Sequence, residues 1–222
     1  MTTIGIIGAF DAEVEKLIEI FELKKADDKD EIYTGVFNDK KLVVARSGIG
    51  KVNSAATTQK IIDIYMPDLI INTGCAGSLT DKVKIMDVVL ATYVTYHDFS
   101  PIRVMAFSTP DNGKIETSPS LMKLAHDAIE ELESYNYHEG PIASGDCFVT
   151  DSELRDSIRL STGCLAVDME SASIGHISKR NNVPFISIRT ISDFADGQDD
   201  FEDIAAYKSS YLVKHMIEKL NS

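Results

Sequence analysis

Three short segments of the sequence put acids where chemistry is done. Glu13 follows an apolar stretch closed by glycine, Thr3-Ile-Gly-Ile-Ile-Gly8, and opens a segment in which Val14, Leu17, Ile18 and Phe21 recur at helical spacing. The partial positive charge of a helix N-terminus keeps a carboxylate there ionised and fit to act as a base, while a solvated helix-start glutamate is the plainer alternative. Asp168 and Glu170 stand two apart in Val167-Asp-Met-Glu-Ser171, beside Met169. A carboxylate at such a strand-to-helix passage can hold a vicinal diol, such as ribose 2′- and 3′-hydroxyls, through its two oxygens. An acidic pair at a helix N-terminus is the alternative. The sharpest segment is Phe185-Ile-Ser-Ile-Arg-Thr-Ile-Ser-Asp193, an apolar strand that delivers Arg189, Ser192 and Asp193 at its carboxyl end. An aspartate partly withdrawn from water there can serve as a general acid.

Three glycine-rich turns accompany these acids: Gly5 to Gly8, Ser47 to Lys51 and Asn72 to Gly77. Glycine lets backbone N–H groups approach a ligand closely, and ligands of α/β folds collect at strand carboxyl ends. Tight strand–helix packing explains any one such turn, and three together favour a shared crevice. The two common phosphate-loop patterns fail: Ala45 and Val52 stand where a P-loop needs Gly and Ser/Thr, and Asn53 where a dinucleotide fingerprint needs Gly. Asp196, Asp199 and Asp200 lack the spacing of a calcium loop and read as a solvated acidic segment. Cys75, Cys147 and Cys164 form no CxxC pair and the five histidines form no metal motif, so no metal and no cofactor is expected.

Alternating strands and helices must position these residues. Strands are predicted at 3–8, 32–37, 41–46, 68–74, 88–94, 141–144, 164–168 and 184–191. Helices are predicted from 11, at 51–65 before Pro67, at 119–133 capped by Ser118, and at 151–159, 169–181 and 202–220. Residues 97–118 read as a long loop. The consecutive strands within 31–46 favour an α/β fold with a twisted mixed central sheet surrounded by helices, in one domain over 1–222.

Thirty-five acidic against 22 basic residues give a formal net charge of −13, which excludes nucleic acid and anionic membrane as the main partners. No run of apolar residues is long enough to span a bilayer, and the opening MTTIGIIGAF has no signal-peptide pattern, so a cytoplasmic protein is expected.

An ordered set of motifs over nearly the whole chain carries a family resemblance: IGIIGAFDAEVE (4–15), YTG (33–35), SGIGKVN (47–53), PDLIINTGCAG (67–77), YHD (96–98), SGDCFV (144–149), VDMESAS (167–173) and VPFISIRTISDFAD (183–196). The chain resembles the bacterial 5′-methylthioadenosine/S-adenosylhomocysteine nucleosidases of the purine nucleoside phosphorylase/uridine phosphorylase superfamily. The resemblance implies a nucleoside phosphorylase-like fold, a homodimer, a small purine nucleoside as ligand and hydrolysis of its N-glycosidic bond.

Position by position it implies that Glu13 activates water, that Asp193 protonates adenine N7, and that Met169 and Glu170 bind ribose. Phe148, Val149 and Ser192 would hold adenine, Arg189 and Cys75 would support the site, and Phe10, Ile49, Phe107 and Phe201 would wall the 5′-pocket. The chain departs from the family at Cys75 (usually Ser), at Asp168 (usually Glu) and in the 99–114 loop. A phosphorylase, a nucleosidase for another purine nucleoside such as a futalosine-like one, and a non-catalytic nucleoside-binding or storage protein are the alternatives. The loop 75–84 lacks the arginine by which phosphorylases hold phosphate, which favours water.

Overall fold

The computed structural model describes residues 1–99, 102–197 and 204–220. In chain order the elements are β1 (Thr3–Gly8), α1 (Asp11–Ile20), β2 (Lys24–Lys25), β3 (Ile32–Phe37), β4 (Lys40–Arg46), α2 (Lys51–Tyr65), β5 (Leu69–Ser78) and β6 (Val88–Tyr96). There follow α3 (Ile102–Ser108), a 3₁₀ turn (Pro110–Gly113), β7 (Ile115–Glu116), α4 (Pro119–Ile129), β8 (Tyr137–Ser144), α5 (Ser152–Thr162), β9 (Ala166–Asp168), α6 (Ser171–Arg180), β10 (Phe185–Asp193) and α7 (Ile204–Lys219). The fold is α/β, as expected, with all ten strands in one mixed sheet.

Period-two alternation explains how that sheet is covered. Ile4 and Ile6 of β1 with Leu42 and Val44 of β4 pack against Val14, Leu17, Leu212 and Met216 of α1 and α7. Their neighbours Ile7, Val43 and Ala45 face the other side, where Ile61 of α2 and Ala172 and Ile174 of α6 complete a second core.

β5 is the strand around which the rest is arranged. It is buried along its full ten residues. It pairs in parallel with β1 and β10 and in antiparallel with β9. β10 also pairs with β6, β6 with β8, and β8 with β9. Those five strands therefore close on themselves, so the expected mixed sheet curls at one end into a small ring. The carboxyl ends of β1, β5 and β10 lie side by side through this pairing.

Three expectations are corrected. Residues 97–118 are not one irregular loop, because α3, the 3₁₀ turn and β7 fall within them. Ser118 stands at the N-cap of α4, but its hydroxyl meets Ser120 Oγ at 3.0 Å and not a helix N–H. Asp151 does cap α5, accepting from the N–H groups of Glu153 and Leu154. The turn between β3 and β4 is tighter than expected: Asn38 and Asp39 take φ of 46° and 60°, and Lys40 already belongs to the strand. Asparagine and aspartate tolerate that left-handed backbone better than most residues.

Candidate active site

Glu13 is the third residue of α1 and only 1% exposed. Its Oε2 accepts from Ala9 N at 2.5 Å and its Oε1 from Cys75 N at 2.8 Å. It is thus clamped between the end of β1 and the middle of β5, and is no solvated helix-start acid. Burial raises its pKa above the ordinary glutamate value, against the opposing pull of Arg189 and of the N–H groups of Ala9, Cys75 and Phe10. Withdrawal from water thus outweighs the donors around Glu13 and makes it a stronger base than an ordinary glutamate.

Arg189, wholly buried in β10, is the cation of the site. Its Nε lies 2.8 Å from Asp168 Oδ2, its Nη1 3.4 Å from Glu13 Oε1 and its Nη2 3.5 Å from Glu170 Oε2. Nη2 also donates to Asn72 Oδ1 at 2.9 Å. A buried guanidinium is tolerable only when its charge and donors are met this fully. The three carboxylates hold its pKa above the ordinary value against the effect of burial.

Glu170 sits at the N-cap of α6, with Oε1 accepting from Gly50 N at 2.9 Å. Burial pushes its carboxyl up to about 7; Arg189 opposes this, and the neighbouring charges of Asp168 and Glu13 add to it. Three carboxylates around one cation leave more negative charge than a dry interior favours, so near neutrality the cluster retains a proton.

Asp193 ends β10 in a different setting. It is half-buried, with Oδ2 accepting from Ser192 Oγ at 2.7 Å and Oδ1 from Ala195 N at 2.8 Å. A side chain at Gly74 would collide with Glu13 Oε1 and Arg189 Nη1, and one at Gly77 would approach Asp193 Oδ1 to 3.0 Å. On β5, Gly74 therefore lies against the Glu13 end of the site and Gly77 against the Asp193 end. The glycines of the expected crevice thus serve two ends. Gly8 and Gly74 make room for Glu13 and Gly50 donates its N–H to Glu170, while Gly77 itself faces the cavity.

That cavity, of about 450 Å³, is lined by Ala9, Phe10, Glu13, Ile49, Cys75, Ala76, Gly77, Cys147, Phe148, Val149, Val167, Asp168, Met169, Glu170, Ser192, Asp193 and Ala195. Four carboxylates and no basic side chain line it among the described residues. Val149 is buried and Phe148 is 60% exposed. Their loop is tied down by Asp98, which accepts from Asp146 N at 2.9 Å and from Lys51 Nζ at 2.5 Å.

Of the residues singled out in the sequence, the structure gathers Glu13, Asp193, Met169, Glu170, Phe148, Val149, Ser192, Cys75, Phe10 and Ile49 around this one cavity. Arg189 lies behind it. Phe107 is not brought there: it is on α3 and 90% exposed. Phe201, Asp199 and Asp200 lie outside the described residues. Asp196 pairs with Arg155 at 3.2 Å, and no cluster of His, Cys, Asp or Glu suited to a metal exists among the described residues.

Sequence reasoning missed the polar bed beneath Arg189: Asn72 on β5, Ser171 on α6 and Ser187 on β10, all buried. Their signal was available, since Asn72 and Ser187 interrupt otherwise apolar strands.

Comparison with known proteins agrees with this geometry. Residues 3–218 match the Phosphorylase superfamily. The 5′-methylthioadenosine/S-adenosylhomocysteine nucleosidase of Staphylococcus aureus (strain bovine RF122 / ET3-1) is 35% identical, over 98% of this chain and all of that one. The nucleosidase of that name from Neisseria meningitidis, solved with methylthio-immucillin-A, aligns with a TM-score of 0.91 at 35% identity, covering 99% of this chain and 100% of that one. The native futalosine hydrolase of Helicobacter pylori strain 26695 aligns with a TM-score of 0.90 at 33% identity, over 99% and 98% of the two chains. The chain belongs to the phosphorylase superfamily.

Proposed function

We propose that this member of the phosphorylase superfamily is a nucleosidase, which hydrolyses the N-glycosidic bond of 5′-methylthioadenosine or S-adenosylhomocysteine to adenine and the thioribose product. The observation that carries the reading is that a buried, clamped Glu13 and a half-buried Asp193 line one cavity of about 450 Å³. Relatives named for this activity match over the full chain.

Adenine is a poor leaving group as an anion. Protonation at N7 by Asp193 as the C–N bond breaks lets it depart neutral. Ser192 holds one Asp193 oxygen and Ala195 N the other, so the carboxyl is oriented before the substrate arrives. The backbone at Phe148 and Val149 holds the adenine edge. The sugar left behind is oxocarbenium-like and gains from the negative field of Glu13, Asp168 and Glu170. Glu170 and Met169 bind the ribose, and Glu13 takes the proton of the water that attacks C1′. Each proton transfer contributes about 10²–10⁴-fold. Arg189 orients the carboxylates from behind, Cys75 supports Glu13 through its backbone N–H, and Phe10 and Ile49 wall the 5′-substituent.

The nucleophile is water because the cavity is lined by carboxylates, and Arg189, the cation beside it, is already engaged by three of them. A phosphate ion would enter against that charge. The chain acts as one unit over 1–222, as a cytoplasmic homodimer serving methionine salvage and nucleoside catabolism. Exposed apolar residues next to the cavity, Ile49, Val52 and Phe148, support a second copy seated against its rim. In the dimer Phe107 would reach the partner's 5′-pocket, not its own.

A second reading, hydrolysis of a futalosine-like nucleoside, has the support of the Helicobacter pylori futalosine hydrolase likeness. Purine release from methylthioadenosine, S-adenosylhomocysteine and futalosine, each with and without phosphate, tests both. The main reading expects phosphate-independent release from a thio-nucleoside. Release from futalosine alone would favour the second, a phosphate requirement would make the chain a phosphorylase, and no release from any would leave a nucleoside binder.

A further inference from the structure

We propose that Asp168 is the positioning residue of this site: by fixing Arg189 through Nε and the backbone of the Glu170 turn through N–H groups, it sets how one buried cation is divided between Glu13 and Glu170. The inference deepens the nucleosidase reading and rests on it for its kinetic part.

The geometry is one-sided in a telling way. Of the three acids around Arg189, Asp168 makes the short contact, 2.8 Å, while Glu13 and Glu170 stand at 3.4 and 3.5 Å. Asp168 itself is held from several directions. Its Oδ1 accepts from Ser144 Oγ at 2.5 Å and, at 3.3 Å each, from the N–H groups of Glu170 and Ser171; its Oδ2 meets the Ser171 hydroxyl. Ser144 Oγ in turn accepts from Ala172 N at 2.9 Å, which ties the end of β8 to the first turn of α6. A carboxylate with this many donors is a fixed negative point. Glu13 and Glu170 line the same cavity with fewer donors each, so of the three acids they are the less firmly held.

Asp168 lines the cavity too, but its two oxygens are taken up by Ser144, the Glu170 turn and Arg189, so its part is positioning. It places the α6 N-cap residue Glu170, anchors the guanidinium on the Nε side, and leaves Nη1 and Nη2 directed at the two working acids. The other titratable groups around it are Cys75 on β5, Cys164 ahead of β9, His97 after β6 with Asp98, Lys51 and Asp146 beyond it, Lys114 near Cys164, and Cys147 and Asp193 across the cavity. None of these sits within ion-pair distance of Arg189, so the charge of Asp168 is the one whose loss the cluster would feel most.

The test is the titration of the protein labelled at glutamate ¹³Cδ, followed by NMR on the ligand-free chain, for the native protein, Asp168→Asn and Asp168→Glu. Removing the Asp168 charge relieves repulsion on Glu170 and frees Arg189 for it. The Glu170 midpoint of Asp168→Asn is then expected to fall by about one pH unit, and the acid limb of the kcat profile to move the same way. With the guanidinium displaced, kcat is expected to fall about 10²-fold with a much smaller change in KM. Asp168→Glu keeps the charge, so its midpoint stays near the native one and its kcat lies between the two.

An Asp168→Asn midpoint equal to the native one overturns the proposal, as does a kcat loss with an unmoved acid limb, which marks a merely structural role. If Asp168→Asn does not fold, Asp168→Glu decides, and native kcat and an undisturbed Arg189 resonance in that variant overturn it. Because the midpoint is read without turnover, a chain that releases no adenine sinks the nucleosidase reading and leaves the Asp168 result standing.

Discussion

The two acids on which the chemistry turns occupy opposite environments. Glu13 is sealed, with both oxygens fixed by backbone N–H groups, one just past the end of β1 and one within β5, and a guanidinium alongside. Asp193 is half-exposed, with one serine hydroxyl and one backbone N–H for partners and no cation within ion-pair distance among the described residues. The difference suits their work. A base must be raised toward neutrality and held still, and burial beside a single shared cation does both. A group that donates to a departing base must meet a ligand at the open side, and there a lighter hold is enough. β5 links the two settings, placing Gly74 under one and Gly77 under the other.

The contrast can be broken at either end. Asp193→Asn removes the acid and is expected to cut kcat by about 10²–10⁴-fold, with adenine binding retained in calorimetry. Glu13→Gln is expected to do the same at the other end, and native-like kcat in either variant would remove that residue from the mechanism. Gly74→Ala leaves both acids in place but drives a Cβ into Glu13 and Arg189, so kcat is expected to fall about 10²-fold while Gly77→Ala disturbs the Asp193 end instead.

Stability sharpens the contrast by pH. The folded-state pKa of Glu170, about 7, and that of Glu13 both lie above the ordinary glutamate value. Between that value and about 7 the folded chain keeps on Glu170 a proton the unfolded chain has released, so this group costs stability as pH rises through the window, with the cost complete above it, and Glu13 acts in the same direction. Glu170→Gln is expected to melt at a temperature that gains on the native chain across this range; a constant difference would place the titration elsewhere. The smallest effect belongs to the rim. Phe148→Ala is expected to raise KM severalfold with kcat nearly unchanged, in keeping with one partly exposed aromatic contact.

How much of this was legible in the sequence follows the physics of each feature. Period-two and period-3.6 apolar spacing places β1, β3, α2 and β10 to within a few residues, because their cores demand it. Glu13, Glu170 and Asp193 stand out since each acid adjoins an apolar strand. Arg189 was visible as a charge inside such a strand, but its three-way division among Glu13, Asp168 and Glu170 depends on residues up to 176 positions apart and leaves no local pattern. Asp168 was seen only as half of an acidic pair, and its control of the turn needed Ser144 from another strand. α3 was missed because prolines at 101 and 110 mask a short helix between them.

The claim that water, activated beside Glu13, attacks the sugar is tested most directly by turnover of methylthioadenosine in ¹⁸O-labelled water with phosphate present. The expected product is methylthioribose carrying one solvent ¹⁸O at C1, formed at a rate that phosphate does not change. A sugar 1-phosphate without solvent label would contradict it.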